Sequence, residues 1–578
     1  MLCVHGVGHG DVDPQFQSNW GSAITDGVQR WNPTRQVQCK FVRYDDLFAK
    51  APLNVGTVAE AIAKLSYSGI VHGIGGWLGL SRDFGGLPET LRWTAGMIAQ
   101  WAVNKTLRAA ARRRLLSAVT EFNPDLIVAH SLGSLIGYDT FARKDNAGVI
   151  SNRRFVTLGS QIGNPFVRDA LGGRIVMLPA SSWSHLYNPH DKAFAAPIRL
   201  TSPQFEQVST PFDVDFLDHD ARPYLTHPNT SNSVWRVVAG GPASRALTRS
   251  ALAVGEALRK PKKRGLLIGI NNYPEPANRL EGCVNDVFQM SAVLQEWGFA
   301  AEDIRVVLND RATAAGILER LEWLLEGAED GQDRVLFYSG HGAQIPEYGT
   351  REEVDHLDEG LVPYDFDWTP AKAISDNQFH ELYSQLPYQA NFLAVFDCCH
   401  AGGMTRDGGP RVRGLTPPDD IRHRLLRWNA REQMWEQRSL EPDNPDARKW
   451  KNKGLDFVGK SGATRRLGRG MALRSLPNVE FDQARKDFGH QGPYMPVILE
   501  ACQEDELSYE YRHGVTSYGA FTYILTQVFR ESRRRGAHLT WEQLKRATQE
   551  KLRKVQYDQT PVLAGPQRVL NKTIPWNR

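Results

Sequence analysis

The chain has 578 residues, a formal net charge of +4, 41% hydrophobic and 23% charged residues. That length exceeds what one hydrophobic core organises, so several domains are expected; the near-balanced charge argues against a nucleic-acid partner, which would call for a strongly basic surface. Six cysteines, two of them adjacent at Cys398 and Cys399, are too few for a disulfide framework and fit a reducing, cytoplasmic setting.

The first strand is expected at residues 2–4, opening without a charged n-region, an h-region or a cleavage site, so no leader is expected. A helix over 20–31 and a strand over 37–44 follow. The Gly-rich stretch 69–80 falls well short of the roughly 18 to 20 apolar residues that a membrane span needs, and reads as a lid or a packed connection. No transmembrane segment is expected. A basic helix over 106–119 and strands over 125–129 and 154–158 complete an α/β alternation with buried, mostly parallel strands.

Two motifs stand in this first part. Val128-Ala129-His130-Ser131-Leu132-Gly133 is a strand running into A-x-S-x-G, and Val4-His5-Gly6-Val7-Gly8-His9-Gly10 ends the first strand in glycines. They resemble the nucleophile elbow and the oxyanion loop of the α/β-hydrolases, with a small Ala in the first Gly position. The resemblance covers about residues 1–238. It implies Ser131 as nucleophile, Asp191 as orienting acid and His219 as base, with His227 the alternative base, and the amides of Val7 and Leu132 as the oxyanion hole. Trp183, Phe194 and the Gly-rich stretch are expected to line a pocket for an acyl-ester substrate.

Composition shifts to Ala, Arg, Lys and Gly near 240 and closes with Lys260-Pro261-Lys262-Lys263-Arg264, which places a basic linker at 241–263 between a domain at 1–240 and another at 264–575. The second domain opens on a strand at 265–270. A helix over 284–297 should face inward with Val284, Val287, Phe288, Ser291 and Leu294, and another begins at Thr313 as N-cap. Residues 404–494 form an insertion with 19 Lys and Arg against 12 Asp and Glu, expected to be a solvated or processing loop. A strand at 496–499 and helices over 520–529 and 540–554 resume the fold.

Within this domain, strand-like 334–338 breaks into Ser339-Gly340-His341-Gly342, and strand-like 392–396 breaks into Asp397-Cys398-Cys399-His400-Ala401-Gly402-Gly403. In an open parallel sheet the carboxyl ends of the strands border the reaction crevice, so a thiol and an imidazole ending two strands can meet there. A thiolate attacks, and a nearby imidazole takes and returns the proton. Spacing alone leaves Cys398 and Cys399 as equal candidates.

These segments resemble the catalytic motifs of the caspase-like (clan CD) peptidases, and of metacaspases in particular, over about residues 264–565. Gly269-Ile270-Asn271-Asn272-Tyr273, Leu280-Glu281-Gly282-Cys283-Val284-Asn285-Asp286-Val287, Gly519-Ala520-Phe521-Thr522-Tyr523 and Gln559-Thr560-Pro561 carry it further. The resemblance implies Cys399 as nucleophile, His341 as base, and Asp286, Asp397 and Ser339 as an acidic pocket. Such a pocket takes Arg or Lys before the cut bond through charge-assisted hydrogen bonds, so protein or peptide substrates with basic residues are expected. It also implies calcium ligands, for which Asp358 and Asp376 are placed; yet Arg406, seven residues after Cys399, puts a cation where some relatives carry a carboxylate. No cofactor is required by this reading, and no zinc spacing is present.

The expected fold class is α/β: an N-terminal α/β-hydrolase fold plus a C-terminal caspase-like sandwich with a mostly parallel sheet. The expected function is a cysteine endopeptidase coupled to a serine ester hydrolase, with residues 464–470 as a self-cleavage loop whose processing exposes or releases the hydrolase. A lipase or esterase with a non-cleaving caspase-like scaffold is the alternative, and a non-catalytic interaction protein the third reading.

Overall fold

The computed structural model describes residues 1–6, 15–50, 89–191, 195–213, 219–240, 261–346, 357–369, 372–398, 413–415, 426–429, 434–437, 457–458, 478–502, 508–513 and 515–577. Two compact units form: Met1–Arg259 with Leu473–Pro493, and Lys260–Ala472 with Tyr494–Arg578.

The first unit is built on six strands, β1 (Leu2–Val4), β2 (Lys40–Val42), β3 (Leu126–His130), β4 (Arg154–Leu158), β5 (Ser182–Tyr187) and β6 (Phe205–Ser209), in the order β2-β1-β3-β4-β5-β6. Every pairing is parallel. Successive side chains of a strand point to opposite faces, and both faces are covered: Leu2, Val4, Ile127, Ala129 and Phe155 enter one core, while Cys3, Leu126, Val128, Val156 and Leu158 enter the other. That is why these strands read as unbroken apolar runs. Helices α1 (Phe16–Gln29), α2 (Glu89–Val103), α3 (Lys105–Phe122), α4 (Leu132–Phe141) and α5 (Pro165–Ala170) accompany the sheet. Asn104 caps α3 by accepting from the Leu107 amide at 3.0 Å, and Asn123 ends it in the left-handed region at φ 47°.

The second unit holds β7 (Lys263–Gly269), β8 (Ile304–Leu308), β9 (Asp333–Ser339), a small antiparallel sheet of β10 (Gly342–Pro346), β11 (Leu357–Leu361) and β12 (Ile374–Ser375), then β13 (Asn391–Asp397), a hairpin β14 (Leu426–Asn429) and β15 (Met434–Gln437), β16 (Phe457–Val458), β17 (Val497–Glu500), a hairpin β18 (Glu510–His513) and β19 (Thr516–Gly519), and β20 (Val562–Pro566). Its main sheet runs β16-β20-β17-β13-β9-β7-β8, with β17 to β8 parallel, β20 antiparallel to β17, and β16 antiparallel to β20 at the edge. Leu266, Ile268, Leu336 and Phe396 fill one side, Leu267, Phe337, Val395 and Leu499 the other.

Helix α6 (Cys283–Glu296) buries Cys283, Asp286, Val287, Met290, Val293 and Leu294, whereas Phe288, expected inside, is 59% exposed. The inward face is rotated because Asp286 is satisfied by buried donors and can join it. Helix α7 (Ala314–Leu325) starts at Thr313, whose hydroxyl accepts from the Gly316 amide at 3.2 Å as the sequence predicts.

The insertion departs from its reading as solvated chain. Helix α8 (Asn478–Phe488) belongs to the first unit, where Phe481, Ala484 and Phe488 enter the core beside α4 and α5. Asp487 accepts from Arg143 at 2.6 Å, Glu480 pairs with Lys105 at 2.9 Å, and the Arg143 guanidinium lies 5.0 Å over the Phe488 ring. Buried Asp139 already meets Arg108, Arg112 and Arg143; burial raises its pKa, and the three guanidiniums outweigh that and hold it below the usual carboxylate range. One carboxylate cannot balance three cations, and Asp487 supplies a second. Helices α9 (Ala520–Arg534) and α10 (Trp541–Lys554) complete the second unit, α10 with a capping box of Thr540 and Gln543. No helix among the described residues is long and apolar enough to cross a membrane.

Candidate functional site

In the second unit β9 and β13 pair in parallel with Asp397 opposite Ser339, so the two strands end side by side. His341 follows β9 after Gly340, where an added Cβ would lie 2.7 Å from the hydroxyls of Tyr273 and Tyr338. Only glycine fits between those two phenols. The His341 amide donates to Tyr273 Oη at 2.9 Å, and Tyr338 Oη donates to the His341 carbonyl at 2.7 Å. The ring is 3% exposed and its Nε2 lies 2.7 Å from the Asn278 carbonyl. That contact makes Nε2 the protonated nitrogen and leaves Nδ1 without its proton in the neutral ring. Burial lowers the His341 pKa from 6.5 to about 4. Cys399 lies outside the described residues; its neighbour Cys398 ends β13 in a buried position.

Asp286, Asp397 and Ser339 come together, each fully buried. Asp286 accepts from the Gly519 amide and Ser339 Oγ, each at 2.8 Å; Asp397 accepts from Ser508 Oγ at 2.7 Å and Thr522 Oγ1 at 2.6 Å. Glu510 stands beside them, its Oε1 accepting from the amides of Glu281 at 2.8 Å and Gly282 at 2.6 Å. The group between these carboxylates is the chain's own Arg413. Its guanidinium lies 2.9 Å from Asp286, 3.2 Å from Asp397 and 3.8 Å from Glu510, and donates to Ser339 Oγ at 2.7 Å.

The pocket fits that planar cation. A Cβ on Gly519 would approach Arg413 Nη1 to 2.6 Å, and one on Gly282 would approach Nη2 to 2.9 Å. Burial pushes the Asp286 pKa up, and Asp397 adds to that, while Arg413 opposes it. Carboxylates left without a cation in this dry pocket would cost heavily in desolvation, and the Arg413 guanidinium offsets that cost. The sequence missed Arg413, Glu510, Ser508 and Thr522. Gly519 and Thr522 sit in a quoted motif, but nothing in the local pattern around Arg413 or Glu510 marks a pocket.

In the first unit Ser131 joins β3 to α4 with φ 49° and ψ −124°, a strained conformation for a residue with a Cβ. Its amide donates to the Leu158 carbonyl at 3.0 Å. Gly133 lets the start of α4 press on the end of β1, where a Cβ would meet the Val4 carbonyl oxygen at 2.3 Å. His219 Nδ1 lies 2.9 Å from Asp191 Oδ2, and Tyr224 Oη donates to the same oxygen at 2.6 Å. His219 Nε2 is buried without a hydrogen-bond partner among the described residues. A Cβ on Gly159, the residue after β4, would lie 2.9 Å from His219 Cε1 and 3.3 Å from Asp191 Oδ2. Elbow, acid and imidazole thus gather at the carboxyl ends of β3, β4 and β5. Gln161 Nε2 reaches Ser131 Oγ at 3.5 Å.

Other expected residues stand elsewhere. His227 is half-buried and caps a short helix, its Nδ1 accepting from the Asn229 amide at 3.1 Å, while its Nε2 lies 3.3 Å from the Pro211 carbonyl; Asp191 pairs with His219 instead. Trp183, expected in an acyl pocket, is fully buried in the sheet core, donating to Thr157 Oγ1 at 3.0 Å. Its large apolar ring is better satisfied under Tyr138 and Phe155 than at an opening. The amide of Leu132 begins α4, while Val7, Phe194, Arg406 and residues 69–80 and 464–470 lie outside the described residues. Asp358 lies on β11 and Asp376 starts the helix Asp376–Tyr383. Among the described residues no three His, Cys, Asp or Glu gather as a metal site.

Comparison with known families matches residues 262–569 to the caspase domain of peptidase C14. Metacaspase-7 of Arabidopsis thaliana is 37% identical over 156 residues, which is 26% of this chain and 37% of that protein. Metacaspase-9 of the same plant is 36% identical over 151 residues, 25% of this chain and 44% of that protein. Metacaspase-1 of Schizosaccharomyces pombe is 38% identical over 151 residues, 25% of this chain and 34% of that protein. The aligned part therefore spans less than half of each of these relatives.

Proposed function

The chain belongs to the caspase-domain family, and from that premise we propose that its second unit is a cysteine endopeptidase that cuts after Arg or Lys. Cys399 supplies the nucleophile, His341 the base, and Asp286, Asp397 and Ser339 the pocket for the basic side chain, with Glu510 a third carboxylate. One observation carries the specificity: the pocket already holds a guanidinium on all of those groups. The thiol proton passes to His341 as sulfur adds to the substrate carbonyl, and from there to the departing amine. Water then adds to the thioester, releasing the carboxyl product and restoring the thiol. The Gly342 amide, which donates to the Arg413 carbonyl at 3.2 Å, is the proposed oxyanion donor.

For the first unit we propose a serine ester hydrolase of the α/β-hydrolase fold, residues 1–240 augmented by α8. Ser131 is the nucleophile, Asp191 the orienting acid and His219 the base, with Leu132 and Val7 as amide donors. The strained Ser131 and the Asp191–His219 pair at neighbouring strand ends support this reading.

Fluorogenic peptides with Arg, Lys or Asp before the cut bond test the first proposal. Arg and Lys peptides should be hydrolysed by wild type and by Cys398→Ala but not by Cys399→Ala. Asp286→Asn should lower kcat/KM on the Arg peptide by at least about 30-fold, the loss of roughly 2 kcal/mol from one buried charged hydrogen bond. Faster turnover of the Asp peptide would overturn the specificity. Acyl-ester hydrolysis by wild type and its loss by roughly 10³-fold or more in Ser131→Ala test the second; equal rates in both would overturn it.

A further inference from the structure

His341 lies between two sheets and belongs to neither ladder, since β9 ends at Ser339 and β10 begins at Gly342. Its main chain is held by side chains instead. The amide donates to Tyr273 Oη at 2.9 Å, and the carbonyl accepts from Tyr338 Oη at 2.7 Å and from the Val362 amide at 3.1 Å. The same phenols reach the Val362 carbonyl, Tyr338 at 2.8 Å and Tyr273 at 3.2 Å, and their hydroxyls are 3.4 Å apart. A buried tyrosine needs one partner for its hydroxyl. Two hydroxyls serve three backbone groups on two segments at this point, and Gly340 leaves the room for both. Burial raises both phenol pKa values, so the rings stay neutral and keep their protons. Tyr273 also packs on the imidazole itself, with ring centroids 4.8 Å apart at 49°.

We infer that Tyr273 and Tyr338 are positioning residues for His341: they clamp its main chain between β9 and β10, and so keep its ring in a dry niche with Nε2 on the Asn278 carbonyl. This rests on the peptidase reading above, in which His341 is the base. The ring faces Tyr273, the Asn278 carbonyl and Arg413, whose cation disfavours and whose carbonyl favours protonation. Without Tyr273 Oη the His341 amide loses its acceptor, and without Tyr338 Oη the carbonyl loses its shorter hydrogen bond. Either loss loosens the segment and lets water reach the imidazole. A displacement of about 1 Å costs about 100-fold in rate, because the proton must pass along a defined line. A hydrated imidazole also returns toward its ordinary pKa of about 6.5. Rate and acid limb should therefore change together.

The test compares kcat, KM and the pH dependence of Arg-peptide hydrolysis in the full chain carrying Tyr273→Phe, Tyr338→Phe or Tyr494→Phe, with Tm measured for each. Tyr494 is the control. Its buried hydroxyl makes the same kind of pair, accepting from the Phe392 amide at 3.0 Å and donating to the Ala390 carbonyl at 2.7 Å, but at the amino end of β13. Tyr273→Phe and Tyr338→Phe should each lower kcat at least about 10-fold and raise the acid limb by about one pH unit or more. KM should stay within about 2-fold, because Asp286 and Asp397 are untouched. Tyr494→Phe should lower Tm as they do and leave kcat and the limb as in wild type. Gly340→Ala, whose methyl displaces both hydroxyls, loosens the same clamp with every hydroxyl present and should reproduce the paired change. A fall in kcat that Tyr494→Phe matches, or one without a shift of the limb, would reduce the two phenols to core packing. So would Phe variants that keep the wild-type kcat. In each of these cases wild-type hydrolysis stays Cys399-dependent and the peptidase reading survives; a wild type that hydrolyses no basic peptide would sink both.

Discussion

Burial lowers the His341 pKa from 6.5 to about 4, and the Arg413 cation adds to the shift. A base works only when neutral, so activity is present above the shifted value and lost as pH falls through it. An ordinary histidine would begin to lose activity near pH 6.5. An Arg side chain from a bound peptide puts the same cation back in the pocket, so the acid limb of kcat for Arg peptides should lie between about pH 4 and 5. A limb at 6.5 would mean that the ring is hydrated in the working enzyme. At this scale His341, Asp397 and Ser339 stand in recognisable motifs at strand ends and Asp286 in the first turn of α6, and the structure brings Asp286, Asp397 and Ser339 together. Arg413 and Glu510 stand in no such motif, because a pocket's far wall is set by tertiary closure rather than by local pattern. Arg413 is one arginine among many in a stretch whose composition suggests solvated chain.

Among the elements, the parallel strands were legible because burial on both faces leaves continuous apolar runs, as in Leu126–His130. Helix α8 was obscured by its charged residues, although Phe481, Ala484 and Phe488 recur at helical spacing and form its buried stripe. Its weight in the first unit can be measured. Phe481 is 2% exposed and packed in the core, so Phe481→Ala should cost about 3–5 kcal/mol. If α8 is an integral part of that unit, amides of α3 and α4 should exchange roughly 100-fold faster in the variant, while those of β9 and β13 keep their protection. Unchanged exchange in α3 and α4 would mean that α8 only rests on a unit that is already complete.

For the molecule as a whole, the chain after β13 serves both units. Leu473–Pro493 joins the first, whereas β17 and β20 join the main sheet of the second, β17 pairing with β13 in parallel from Leu393 opposite Val497 to Phe396 opposite Glu500. A break in the chain between β13 and α8 therefore removes one covalent link and leaves both associations in place. Limited proteolysis there should yield two fragments that elute together under native conditions and separate in denaturant. Separation without denaturant would mean that neither the β13–β17 ladder nor the α8 packing survives the cut.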